Sequence, residues 1–143
     1  MRGDPKTIEY LNKALTNELT AINQYFLHAK MFANWGFKEI AAHEHAESID
    51  EMKHAQALID RVLYLGGVPN VQRLGKINIG ETVKEQLTVD LALENEAIPR
   101  LNTGIAHRKP GVGMVGAGIL RAPEKCFKDA FAALKEQCVT SDE

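Results

Sequence analysis

Glu51-Met52-Lys53-His54 is the stretch that decides the fold of this chain. It lies inside a helical pattern, and a carboxylate and an imidazole three residues apart on a helix face the same side. The stripe containing it reads Ile40, Glu44, Glu47, Glu51, His54, Leu58, Val62, Leu65, apolar at both ends with acids in the middle. One helix earlier, Glu18 lies between Leu15 and Ile22. One helix later, Glu94 lies between Leu91 and Ile98. Burying a carboxylate is costly unless something pairs with it. Acids at the centre of three apolar stripes therefore point to a shared partner. The established ligand set of carboxylate-bridged two-metal bundles is one Glu from each of two helices plus a Glu-x-x-His from each of the other two. Glu18, Glu51, His54 and Glu94 supply most of it, and a second Glu-x-x-His is missing. Hard oxygen ligands with imidazole suit iron. A lone Glu-x-x-His is more often a solvated helix face; the company of Glu18 and Glu94 tips the reading to metal.

Working outward, the first helix is predicted from about Pro5 to Asn34. Ile8, Leu11, Leu15, Leu19, Ile22 and Phe26 recur on one stripe, Pro5 suits the first turn, and Gly36 suits the end. The second is predicted from about Lys38 to Leu65, stopped by Gly66-Gly67. The connection that follows is long for antiparallel neighbours and long enough to cross a bundle end to end. A third helix starts near Glu81, with a capping box in Thr82-x-x-Glu85 and a stripe of Leu87, Leu91, Glu94, Ile98, Leu101 and Ile105; Pro99 predicts a kink. After His107 the text changes. Five glycines fall between residues 104 and 123, which reads as loop, and helical character returns only near Pro123. The prediction is one all-α domain over residues 1–143, a four-helix bundle with one long crossover between the second and third helices and a short or irregular fourth.

The 143 residues suffice for one domain with a real core, and the net charge of -2 lacks the basic stripe of a nucleic-acid binder. No apolar run approaches the ~20 residues that span a bilayer. Met1-Arg2-Gly3-Asp4-Pro5-Lys6 has no apolar core and so does not read as a secretion signal. Cys126 and Cys138 fit neither a CxxC motif nor a disulfide framework, which leads to the expectation of a cytoplasmic protein. Met52 sits on a neighbouring face with Ile49 and Ile59, where a methionine is ordinarily a gap-filler. Tyr25 shares the stripe of Glu18 and could hydrogen-bond a ligand carboxylate. His28, His43, His45 and His107 are expected at the surface or an interface.

Asn17-Glu18-Leu19-Thr20-Ala21-Ile22-Asn23-Gln24-Tyr25-Phe26-Leu27-His28-Ala29 closely resembles the first helix of bacterioferritins. Glu47-Ser48-Ile49-Asp50-Glu51-Met52-Lys53-His54-Ala55 resembles their second, and Asp90-Leu91-Ala92-Leu93-Glu94 their third. Gly66-Gly67-Val68-Pro69-Asn70 and Leu74-Gly75-Lys76-Ile77-Asn78-Ile79-Gly80-Glu81 resemble the crossover between them. The resemblance covers residues 1 to about 107. It implies a ferritin-like bundle that self-assembles into a hollow shell of two dozen subunits. It implies a ferroxidase that oxidises Fe(II) with O2 at a di-iron site inside each subunit and stores ferric mineral. Glu18, Glu51, His54 and Glu94 match the iron ligands. Met52 matches the methionine that holds haem b at the two-fold interface, which reverses the gap-filler reading. A small electron-donor protein is an implied partner.

This chain departs from the family pattern in three respects, one being that the family's short fifth helix is largely absent. His45-Ala46 stands where the family commonly has Tyr-His, although Asp50 is retained. Aligning Ile119-Leu120 with the pair that precedes the family's second Glu-x-x-His puts Pro123 at the glutamate and Cys126 at the histidine. A shifted reading frame in the gene would explain the change, and an intact mass distinguishes it from a native C-terminus. As written, the sequence predicts a single iron where the family has two. The rival readings are a ferroxidase-impaired structural or haem-bearing subunit of a mixed shell, with a second bacterioferritin subunit type as partner, and an unrelated helical interaction bundle.

Overall fold

The computed structural model describes residues 3–106, and these form three helices: α1 (Pro5–Asn34), α2 (Lys38–Tyr64) and α3 (Val83–Ala106). There is no strand among the described residues. The described residues are all-α, as expected; the predicted fourth helix, with Pro123 and Cys126, lies outside the described residues. Local signals set the ends. Asp4 caps α1 by accepting from the Thr7 backbone N–H, with Pro5 in the first turn. Gly36 closes the α1–α2 turn at φ 92°, a backbone state that glycine adopts without strain. At the start of α3, Thr82 Oγ1 accepts from Glu85 N, and Glu85 Oε2 accepts from Glu81 N, one residue before the cap, so half of the expected capping box forms and the return bond is shifted by one residue. α3 continues through Pro99.

α1 and α2 pack antiparallel, as Glu18 meeting His54 and Ile22 meeting Ser48 require. Leu15, Ala55 and Leu58 form the centre of that contact, flanked by Leu11, Ala14, Leu19, Ile22 and Ile59. The predicted α2 stripe is the buried one: Glu44, Glu51, Leu58, Val62 and Leu65 are all buried. The α1 stripe is displaced toward its C-terminal half. Phe26 is 47% exposed, while Gln24, Tyr25, His28 and Phe32 turn inward. The reason lies in the crossover. This segment, residues 65–82, runs along a polar row on α1. Val68 O and Asn70 N bond Asn12, Gly75 N bonds Thr20 Oγ1 (2.8 Å), Asn78 N bonds Gln24 Oε1 (3.0 Å) and Gly80 N bonds His28 Nε2 (3.3 Å). Residues 12, 20, 24 and 28 are spaced in multiples of four and so share one face. They supply hydrogen bonds to a backbone that has no ladder of its own. Gly80 is the tightest point of this track, since a Cβ there would meet the backbone of Gln86 at 2.3 Å. With its chain ends so separated, α3 returns antiparallel to α1 and parallel to α2.

Candidate metal centre

Each of the four predicted ligands lies inside a helix. Glu18 comes from α1, Glu51 and His54 from adjacent turns of α2, and Glu94 from α3. Glu18, Glu51 and His54 converge: one ligand atom from each lies within 4.8 Å of the other two. His54 Nδ1 is 2.8 Å from Glu51 Oε2 and 3.5 Å from Glu18 Oε2. Ser48 fixes the two helices beside them, donating to the Ile22 carbonyl at 3.0 Å. Glu94 stands outside this trio of atoms and is engaged by Tyr25, whose hydroxyl donates to its carboxylate. It still feels the field of the trio, being acted on by both Glu51 and His54.

The electrostatics are those of a site short of positive charge. Burial, and then Glu18, pushes the Glu51 carboxyl up. Burial raises Glu94 as well, against the lowering effect of the Tyr25 hydrogen bond. Burial and the neighbouring carboxylates raise the Tyr25 hydroxyl well above its ordinary value. Hydrogen bonds to Glu18 and Glu51 raise His54 to about 10. One imidazolium thus serves several acids. A divalent cation would displace that proton and satisfy the same oxygens. The donor set of carboxylates with one imidazole fits iron.

Met52 projects on a different face of α2, 51% exposed beside Ile49 at 39%. A thioether can serve as a ligand to haem iron, and here it stands on an exposed apolar face.

Several polar residues near this centre have no counterpart in the sequence reading. His28, expected at the surface or an interface, is fully buried. Its Nδ1 contacts both Asp90 carboxylate oxygens at 2.8 and 2.9 Å. Gln24 Nε2 donates to the same Asp90 at 2.7 Å. Gln86 is also fully buried and donates to the Gly80 carbonyl. The available signal was spacing: Gln24, Tyr25, His28 and Phe32 share a face, and Asp90 lies one turn from Glu94. Glu44 was visible on the stripe but not singled out; it is only 6% exposed, and burial followed by Asp90, Glu47 and Glu94 pushes it up to about 8.

With this geometry in place, comparison with known proteins is specific. Residues 8–109 match the ferritin-like domain family. The chain is 57% identical over 105 residues to the bacterioferritin BfrA of Mycobacterium tuberculosis strain H37Rv, covering 73% of this chain and 66% of the relative. It is 48% identical over 122 residues to the bacterioferritin of Streptomyces coelicolor, covering 85% of this chain and 73% of that one. The solved structure of Mycobacterium tuberculosis BfrA superposes with a TM-score of 0.86 at 45% identity, covering 94% of this chain and 87% of that one. The chain therefore belongs to the ferritin-like class of helical bundles and, within it, to the bacterioferritins. It spans 66% of the length of the mycobacterial relatives it matches.

Proposed function

We propose that this chain is an iron-storage subunit that oxidises Fe(II) with O2 inside its own bundle and assembles with further copies into a mineral-holding shell. The observation that carries this reading is the convergence of Glu18, Glu51 and His54 from two helices into a trio of ligand atoms within 4.8 Å. Fe(II) is the substrate, and a pair of Fe(II) ions supplies O2 with two electrons together. The chain's residues do the rest. Glu18 and His54 serve as terminal ligands, and Glu51 and Glu94 as the carboxylates that reach across between metals. Tyr25 holds Glu94 in place through its hydroxyl. His54 gives up its proton as metal enters, which ties binding to proton release. Haem b fits at Met52, where it would supply a one-electron path between the mineral and an outside donor. No helix among the described residues is long and apolar enough to cross a membrane, in keeping with a freely assembling shell.

The test is stopped-flow Fe(II) oxidation by the metal-free protein, its C-terminus confirmed by intact mass. O2-dependent oxidation at the bundle site supports the reading; oxidation no faster than in buffer overturns it.

A second reading is favoured by one sequence observation: Pro123 and Cys126 stand where the family's second Glu and His align. A subunit lacking those ligands would hold one weakly occupied metal near Glu18, Glu51 and His54, and would act as a structural or haem-bearing member of a mixed shell. Anomalous scattering at the iron edge separates the two. Two fully occupied irons a few ångströms apart would exclude the impaired subunit.

A further inference from the structure

α3 is held to α1 by polar contacts. The apolar centre of Leu15, Ala55 and Leu58, with the residues that flank it, belongs to α1 and α2 and takes in no described residue of α3. The buried residues of α3 among those described are Gln86 and Asp90, and neither is apolar. Gln86, Asp90 and Glu94 follow at steps of four and share one face. Each is gripped from α1. The Gln86 amide donates to Met31 Sδ at 3.3 Å. Asp90 accepts from Gln24 Nε2 at 2.7 Å and meets His28 Nδ1 through both of its oxygens, at 2.8 and 2.9 Å. Tyr25 donates to Glu94. The antiparallel helices thus engage in order, Met31 with Gln86, His28 and Gln24 with Asp90, and Tyr25 with Glu94.

An apolar contact tolerates sliding, whereas a buried polar contact specifies register at some cost in stability. Asp90 is the firmest point of this engagement. It is 2% exposed, and side chains from two successive turns of α1 hold it. Both of those side chains are fixed in turn by the crossover, since Gln24 Oε1 accepts from Asn78 N and His28 Nε2 accepts from Gly80 N. The second of these bonds leaves the imidazole proton on Nδ1, facing Asp90. Glu94 lies one turn further along α3, about 6 Å at the helical rise. It is the one proposed ligand that α3 supplies, and it stands outside the trio of Glu18, Glu51 and His54. Any slide of α3 along α1 therefore carries Glu94 toward or away from the metal position.

We propose that Asp90 is a positioning residue for the metal centre: its bonds to Gln24 and His28 fix the register of α3 on α1 and so set where the Glu94 carboxylate stands relative to Glu18, Glu51 and His54. This deepens the iron reading above and rests on its assignment of Glu94 as a ligand. Asp90 itself touches no metal; it acts through Glu94.

A double-mutant cycle on Co2+ binding tests it, using calorimetry on the metal-free full chain at a temperature where circular dichroism shows every variant folded. Co2+ takes the same oxygen and imidazole donors as Fe(II). Asp90→Asn keeps the side chain's size. Because His28 faces both oxygens, the new amide NH2 meets the His28 N–H whichever way it turns, donor against donor. Asp90→Asn should weaken Co2+ binding about tenfold, within what a misplacement of about 1 Å can cost. Glu94→Gln should weaken it at least as much by removing the ligand. In the Glu94→Gln background, Asp90→Asn should have no further effect, because the group it positioned is gone. A merely structural role predicts that the two losses multiply. Gln24→Met removes one donor from Asp90 and leaves His28 in place; it is the milder variant should Asp90→Asn not fold, and its loss should depend on Glu94 in the same way. Multiplying losses, or parent-like binding by Asp90→Asn and Gln24→Met, would overturn the positioning role and leave the metal centre standing. Parent-like binding by Glu94→Gln would overturn it too, since the role has no other ligand to serve. Parent-like binding by Glu51→Gln would sink the metal centre itself.

Discussion

Two buried polar clusters lie about two turns apart on α1, and they are built on opposite principles. Around Asp90 every partner is a donor: Gln24 Nε2 at 2.7 Å and His28 Nδ1 at 2.8 Å. The Gly80 N–H donates in turn to His28 Nε2, which leaves Nδ1 as the nitrogen that donates to Asp90. One carboxylate thus meets a full set of donors, and the crossover is pinned to α1 as a result. Around Glu51 the balance is reversed. Glu18, Glu51, Glu94 and, farther along, Glu47 and Glu44 face one another with His54 as the main cationic group. The first cluster holds the fold together. The second is held together by the fold and is left short of cationic partners.

The largest effect expected from this contrast is on chemistry. Glu94→Ala should abolish fast Fe(II) oxidation while leaving the helical content and melting temperature of the metal-free protein close to the parent's. Removing one acid from a set short of cations relieves repulsion and can stabilise the fold. Oxidation at the parent rate in stopped-flow would show that the second cluster is not the site.

The same kind of substitution in the first cluster should do the reverse. Asp90→Ala orphans the Gln24 amide and the His28 ring together, both fully buried. Leaving such donors without an acceptor should cost about 3–5 kcal/mol in denaturant unfolding. An Asp90→Ala protein as stable as Glu94→Ala would erase the distinction between the clusters.

The two clusters were unequally legible in the sequence. α1 was readable residue for residue from Pro5 to Asn34, because proline and glycine punctuate it and its apolar period is unbroken. α2 ends one residue before its predicted limit, at Tyr64, for the same reason. Glu18, Glu51, His54 and Glu94 were visible because a charge interrupting an apolar stripe is conspicuous. His28 and Asp90 were not. A histidine and an aspartate on helices look like solvated residues until a partner 62 positions away is brought beside them. That partner, and the Gly80 backbone between, depends on the path of the crossover, which has no periodicity to read. Phe26 was assigned inward for the opposite reason: it continues the apolar period of α1, yet the polar row at Gln24 and His28 takes the buried face and leaves it 47% exposed.

A smaller effect is the pH dependence of the metal-free protein. Unfolded, Glu44 loses its proton near 4.5; folded, it keeps it to about 8. Between those values the folded state binds the extra proton, so this contribution is fully present below 4.5 and is lost as pH rises toward 8. His54 adds a loss in the same direction over a higher window, from 6.5 to about 10. Stability should therefore fall from mildly acidic to alkaline pH. Glu44→Gln should flatten the lower part of the curve by an amount on the order of a few kcal/mol. Saturating Co2+ should flatten it as well, since metal replaces the protons. A parent protein whose melting temperature rises across pH 5 to 8 without metal would contradict the assignment of unsatisfied charge to this cluster.

Met52 gives the smallest effect on the fold and the narrowest test. This residue is 51% exposed, and its proposed role is as a haem ligand at the surface of α2. Met52→Leu conserves volume on an apolar face and should cost well under about 1.5 kcal/mol. The Fe(II) oxidation rate set by Glu18, Glu51, His54 and Glu94 should be unchanged, because no ligand in the bundle is altered. What should disappear is the absorption of a haem held by two methionines, since leucine offers iron no donor atom. A retained spectrum would move the haem to another surface and leave the exposed pair of Met52 and Ile49 as an ordinary subunit contact. Loss of the spectrum with oxidation intact would place the two iron chemistries on separate faces of α2, one buried among carboxylates and one at the surface on a single sulfur.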